Sequence, residues 1–327
     1  MCHAEAVNGR HEFGCEPRSR GTITEMKVLW IGGLLAISSA LMLVPARGKK
    51  PTGHENESPQ KPMLHDARTS SNDLELTGDV PGAFAYAGHY LSYSELLKLP
   101  QVTVTVTDDS NFPGKAEITG VYLDEVLHVF GIPGENTLIA AICDDGYEGH
   151  YSEEYRAAHH PILVLKLNGK ELGLAKRMAD GGSYGPYLVS HPSFTSRFIT
   201  LSHPEEAQIP NGVLELRFEK EDDVFHAIEL HGDFAVSSPQ MQGYTIARQN
   251  CFRCHNAGEY GGRRSGISWG VLGKIATGKP AYFKAYIKDP EAANAYTEMP
   301  AFPDYNDATL AAITAYFQAI PANTGHK

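Results

Sequence analysis

The chain has 327 residues, 42% of them hydrophobic, and a formal net charge of −11. It is longer than one typical domain and apolar enough to bury substantial cores, and its acidic balance excludes a nucleic-acid binder. The charge is uneven: residues 236–327 carry nine Lys or Arg against six Asp or Glu, leaving 19 against 33 upstream. The acidic upstream part can therefore dock the basic C-terminal part or a basic partner.

In chain order, residues 1–25 are polar with mixed charge, Arg10, Arg18 and Arg20 standing against Glu5, Glu12, Glu16 and Glu25. From Met26-Lys27 the sequence stays apolar through Ala46, broken only by Ser38 and Ser39, and ends in Val44-Pro45-Ala46. This pattern fits an export signal with translation starting at Met26, which places the protein in the periplasm or beyond. Left uncleaved, residues 28–46 are just long enough to tether it to a membrane. Residues 47–79 are rich in Lys, Pro, Ser, Glu and Asn with no apolar period. They read as a flexible linker with a reach of roughly 30 Å.

Residues 80–235 intersperse helices and strands, which predicts an α+β domain. A short capped helix at 91–100 precedes an alternating strand at 102–106, and an amphipathic helix at 120–127 ends before Gly131-Ile132-Pro133. Strands follow at 138–143 and 162–167, the second entering a tight Asn168-Gly169 turn. Cys143 stands alone and reads first as a buried small hydrophobe. Farther on, Ser238-Pro239 is an N-cap with proline at the first helical position, opening a helix that runs to Cys251. Residues 280–288 give another helix with Tyr282, Phe283, Tyr286 and Ile287. Asn306-Asp307 caps a terminal helix whose Leu310, Ile313, Tyr316, Phe317 and Ile320 form one apolar face.

Cys251-Phe252-Arg253-Cys254-His255 is the attachment pattern of a c-type haem. Its two thiols suit the two vinyl groups of one porphyrin, and the adjacent His offers a ring nitrogen to the iron. A zinc knuckle needs two further Cys or His at matching spacing, and none follows. Met299, in Glu298-Met299-Pro300-Ala301-Phe302, is the expected second axial ligand, so His255 and Met299 are the expected metal ligands. With Gly243 eight residues before Cys251 and the terminal helix, the last ninety residues resemble class I cytochromes c. The resemblance implies an all-α fold in which the first and last helices cross near Gly243, although Ala247 departs from the aromatic that many relatives carry. It also implies export, because c-type haem is attached outside the bacterial cytoplasm. Arg263, Arg264 and Trp269 are candidates for the haem propionates, as an Arg forks onto carboxylates and the indole N–H donates.

The middle segment resembles the molybdopterin-binding domain of the sulfite oxidase superfamily. The matching pieces are Leu96-Leu97-Lys98-Leu99-Pro100, Val102-Thr103-Val104-Thr105, Gly120-Val121, Asp145-Gly146-Tyr147, Leu167-Asn168-Gly169-Lys170 and Gly181 to Tyr187. Relatives that carry molybdenum place a Cys just past the Val-Thr-Val-Thr strand, where this chain has Thr107-Asp108-Asp109-Ser110-Asn111. A carboxylate at Asp108 is a poor substitute for a soft thiolate, so neither molybdopterin nor sulfite oxidation is expected. Were pterin held at all, Asn111 and the glycine-rich loop at 181–187 are the expected contacts; that loop reads equally as a sharp strand connection. His159, His160, His191 and His203 all lie in proline-rich turn contexts, as loop or capping residues or as metal ligands.

The expectation is a multidomain chain. An N-terminal extension with signal peptide or membrane anchor covers 1–46, a linker 47–79, a molybdopterin-oxidoreductase-like α+β domain with the sulfite-oxidase-like fold 80–235, and an all-α class I cytochrome c domain 236–327. The expected function is an exported monohaem electron carrier, with one covalent haem c, a redox partner protein, and a middle domain for docking. The alternative is an oxidoreductase whose middle domain binds a cofactor or substrate and passes electrons to the haem.

Overall fold

The computed structural model describes residues 62–79, 89–177 and 181–320. The apolar run at 28–46, Met26, and the cysteines at 2 and 15 lie outside the described residues. Among the described residues no helix is long and apolar enough to cross a membrane.

The chain opens with strands β1 (Leu64–His65), β2 (Leu74–Gly78) and β3 (His89–Leu91), a short helix α1 (Tyr93–Leu96), and the hairpin β4 (Val102–Val106) and β5 (Ala116–Tyr122). Helix α2 (Leu123–Phe130) leads to β6 (Thr137–Cys143), β7 (Glu148–Tyr151), α3 (Glu153–His159), β8 (Ile162–Leu167) and β9 (Lys170–Glu171). Then come β10 (Tyr187–Ser190), the small pair β11 (Ile199–Thr200) and β12 (His203–Pro204), the long β13 (Asn211–Lys220), and α4 (Glu221–His226). Residues 62–79, read from composition as the end of a linker, thus contribute β1 and β2, and Leu74 and Leu76 are fully buried.

Eleven of these strands form one curled sheet, in the order β1-β3-β2-β13-β10-β8-β5-β4, with β6 and β7 branching from β13 and β9 from β8. The branch point is β13. It is long enough to pair antiparallel with β10 at its start, parallel with β2 farther along, and antiparallel with β6 over most of its length. A bulge between Val213 and Glu215 resets its register. The predicted helix at 120–127 begins later than its amphipathic period suggests. Gly120, Val121 and Tyr122 pair with Val164, Leu163 and Ile162, so the strand claims them and α2 starts at Leu123.

The C-terminal helices are α5 (Pro239–Asn250), α6 (Trp269–Gly278), α7 (Pro280–Lys288), α8 (Pro290–Ala293) and α9 (Asp307–Ala319). Ser238 caps α5 and Asn306 caps α9 through their side chains, as their sequence context predicts. On α5, Gly243 lies so close to α9 that a methyl group there would strike the Ala312 carbonyl.

The expected fold class, an α+β domain followed by a separate all-α domain, is corrected by this packing. The described residues all belong to one compact unit, and the molecule is a mixed α/β protein. The physical reason is a shared core. Leu138 of β6, with Val224 and Phe225 of α4 and Ile228 just after it, packs into the same apolar cluster as Ile246, Phe252, Trp269, Phe283 and Phe317. Successive residues of β6 point to opposite faces, so Ile139, Ala141 and Cys143 serve the sheet's own core while Leu138 serves the helices.

The β6–β7 turn carries a sharp constraint. Gly146 has φ +81°, and a Cβ there would lie 3.0 Å from the Arg264 amide nitrogen. Gly146→Val should destabilise the chain by about 2 kcal/mol or more, because a β-branched residue pays for positive φ and for the close approach. Urea unfolding should show that loss, and circular dichroism and tryptophan fluorescence should follow one shared transition.

Candidate functional site

Helix α5 hands over at Asn250 to a tight turn, Cys251–Arg253, in which the amides of Cys254 and His255 both donate to the Cys251 carbonyl, at 3.2 and 3.0 Å. Phe252 anchors the turn. It is fully buried, its ring stacked on His150 of β7 at 5.1 Å and edge-on to Trp269 at 5.4 Å. The returning chain is held by backbone bonds, Gly262 N–H to Phe252 O at 2.9 Å and Ser265 N–H to Cys254 O at 2.9 Å. The amides of Arg263 and Arg264 both donate to the Gly146 carbonyl, at 2.7 and 3.1 Å.

This frame opens onto a cavity of about 510 Å³ whose wall includes Cys251, Cys254, His255 and Met299. Leu272, Ile275, Phe283, Ile287 and Phe317 supply much of its apolar lining, with Tyr147 and Arg264 on its polar side. Both thiols are free. Burial pushes the Cys251 thiol up to about 12; neighbouring Cys254 adds to the shift and Arg253 opposes it. The Cys254 thiol is raised by the same desolvation. The His255 imidazole is held below its ordinary range by burial, against a hydrogen bond to Ile267. In that bond Nδ1 lies 2.6 Å from the Ile267 carbonyl. A carbonyl only accepts, so Nδ1 carries the proton and Nε2 keeps its lone pair. On the same wall, the Met299 amide donates to Thr297 Oγ1 at 3.2 Å, and the same hydroxyl accepts from Tyr286 at 3.0 Å.

Of the residues singled out by sequence, Cys251, Cys254, His255, Met299 and Arg264 share this wall. Arg264 also pairs with Asp145 at 3.0 Å and reaches Glu298 at 3.7 Å. Arg263 is exposed and lies outside the wall, its Nη2 meeting the Glu259 carbonyl at 3.5 Å. Trp269 is fully buried at the start of α6, outside the wall too, and its Nε1–H donates to the Tyr316 hydroxyl at 3.0 Å.

In the sheet half, Cys143 is buried in the core and its thiol is pushed up by desolvation. Asp108 accepts from the Phe194 amide at 2.9 Å, and the Asn111 side-chain amide donates to the Ile209 carbonyl at 2.8 Å. Gly185, at φ +79°, packs against the Gly212 backbone where the 181–187 loop turns into β10. His191 Nε2 meets the Tyr155 hydroxyl at 2.9 Å, and His159 lies 3.2 Å from Glu205. His203 sits between Gln249 and Tyr305, tying β12 to the helices. His160 closes α3 in a left-handed conformation. Among the described residues no three of His, Cys, Asp or Glu are grouped to hold a metal ion.

No family model matches the chain, and no curated protein matches it. The resemblances to cytochromes c and to the sulfite oxidase superfamily therefore stand on the quoted residues alone. Two site features were not read from sequence. Arg253 counts only as a spacer in Cys-x-x-Cys-His, and Tyr147 is visible only as part of an Asp-Gly-Tyr turn.

The raised thiol predicts slow chemistry at Cys251. A group with pKa near 12 is almost wholly protonated at pH 8, so its thiolate fraction should be about a thousandfold below that of an ordinary cysteine. Iodoacetamide should label Cys251 of the folded, haem-free chain slowly at pH 8 and speed up tenfold per pH unit. In urea the rate should rise to that of a free thiol.

Proposed function

We propose that the chain is an exported monohaem electron carrier, with haem c held through the sulfurs of Cys251 and Cys254 and through His255 and Met299. The observation that carries this reading is that one apolar cavity gathers two free thiols, a neutral imidazole with an available Nε2 and a thioether. The donor set fits the group: soft sulfur and imidazole nitrogen are iron-haem ligands, and the volume lies in the range of cofactor sites. Bound there, the haem supplies reversible one-electron transfer. The chain's residues would do the rest. Ile267 O fixes the His255 ring, Thr297 fixes the loop before Met299, and the apolar wall excludes water. Arg264 stands where a carboxylate could be met on the polar side.

A redox partner is supported by the rim. Tyr282 and Ile267 line the cavity and are 48% and 40% exposed, an apolar mouth of the kind that transient partners cover. The export signal at 26–46 and the optional membrane tether belong to the same proposal. A second reading, an oxidoreductase passing electrons to the haem, is favoured by a separate polar cavity of about 600 Å³ that shares Tyr147 and Arg264 with the first.

Two experiments test the reading. Purified chain should keep haem through acidified organic solvent, and the double change Cys251→Ala, Cys254→Ala should release it; retention by the double variant sinks the covalent assignment. Met299→His should remove a far-red sulfur-to-iron band of the ferric protein and lower its potential. An unchanged spectrum would point to another sixth ligand.

A further inference from the structure

The second cavity shares Tyr147 and Arg264 with the first and is lined by the loop after β4, the β6–β7 turn, the start of β13 and the Cys251–Arg253 turn. Three arginines and three acids line it, and the acids have donors. Asp145 pairs with Arg264 at 3.0 Å, and Asp108 takes the Phe194 amide. Glu206 accepts from Asn250 Nδ2 at 3.4 Å and stands 3.9 Å from Arg253 Nη1. Arg177 donates to Asn211 at 3.2 Å.

Arg253 differs. It is 8% exposed, yet its Nε and Nη2 have no hydrogen-bond partner among the described residues. Those two N–H groups lie side by side on one edge of the guanidinium, the edge that grips two oxygens of a single anion. Arg156 shows how this chain satisfies a buried guanidinium when no ligand is involved. It is 1% exposed, and it donates to Asp124 and to the carbonyls of Thr137, Tyr151 and Gly134. Glu206 and Tyr147 meet the Arg253 guanidinium, but two buried donors without acceptors are costly, and a single water offers one oxygen to two parallel donors. The adjoining space holds far more than a water.

We propose that this cavity binds a ligand through an oxyanion group, a carboxylate, phosphate or sulfate, gripped side-on by Arg253 with Tyr147 and Arg264 alongside. Because Tyr147 and Arg264 also line the first cavity, a bound anion would sit beside the haem and favour its oxidised form. That last consequence rests on the haem reading; the binding site itself does not.

The test uses the full chain as purified. Phosphate, sulfate and acetate are titrated separately by calorimetry, and crystals are soaked in selenate. One saturable site is expected, with a selenate anomalous peak within hydrogen-bond distance of Arg253 Nε and Nη2. Preference for acetate assigns a carboxylate ligand, and preference for phosphate or sulfate assigns a tetrahedral one. Arg253→Gln should weaken binding at least about tenfold, Arg253→Lys should weaken it too because an ammonium lacks the fork, and Lys170→Gln should leave it unchanged. Absence of saturable heat with all three anions overturns the proposal even if selenate appears in the crystal. So does a peak only elsewhere, or an equal loss in Lys170→Gln. Should Arg253→Gln not fold, the wild-type selenate map decides. If the chain binds haem, the saturating anion should lower its midpoint potential, by about 59 mV for each tenfold preference for the oxidised state. A chain without haem would refute the proposed function while the selenate and calorimetric arms still judged the anion site.

Discussion

One carbonyl oxygen organises the candidate site. Gly146 O, in the turn between β6 and β7, accepts the amides of both Arg263 and Arg264. Everything between Cys251 and Arg264 is thereby fastened at both ends, by α5 before the cysteines and by the sheet after them. A side chain at position 146 would push the arginine backbone away, and the positive φ that aims the carbonyl would be strained. The Phe252 ring on His150 adds a second fastening at the middle of the turn. The geometry of the two thiols is thus set by the sheet as much as by their own helix.

That dependence explains why the helices do not form a domain of their own. Phe252 and Trp269 are the large groups at the centre of the helical core, and they are walled on one side by Leu138, Val224, Phe225 and Ile228. Removing the sheet would expose that side of the cluster to water, at roughly 25 cal/mol per Å² of apolar surface. The Tyr316 hydroxyl makes the same connection with polar groups, accepting from Trp269 and donating to the Ile228 carbonyl at 2.6 Å.

Local signals were legible in the sequence and long-range ones were not. Ser238 and Asn306 cap helices where their residue type and the following pattern say they should, because a cap is decided within three residues. Cys251, Cys254, His255 and Met299 on the first cavity's wall were nameable because Cys-x-x-Cys-His and a Met before Pro are short motifs. By contrast, β13 has a clear alternation, Leu214, Leu216 and Phe218 against Glu215, Arg217 and Glu219, but nothing local tells that it meets three other strands. The shared core was hidden for the same reason: Leu138 looks like any strand residue until α4 and Phe252 arrive from elsewhere in the chain. For Trp269 the sequence shows an indole near two arginines but not the partner its N–H meets, Tyr316 inside the core.

The bond from Arg263 to Gly146 also has a temporal side. It joins residues far apart in sequence, so it forms only when the sheet has assembled, and such distant contacts form slowly. Until then Cys251 and Cys254 behave as ordinary thiols on an open chain. Afterwards they are half-buried on the cavity wall, and desolvation raises both thiols. The interval in which they react as ordinary thiols is therefore fixed by how fast the sheet assembles beside them. Changes that accelerate folding of residues 62–220 would shorten that interval without touching either cysteine.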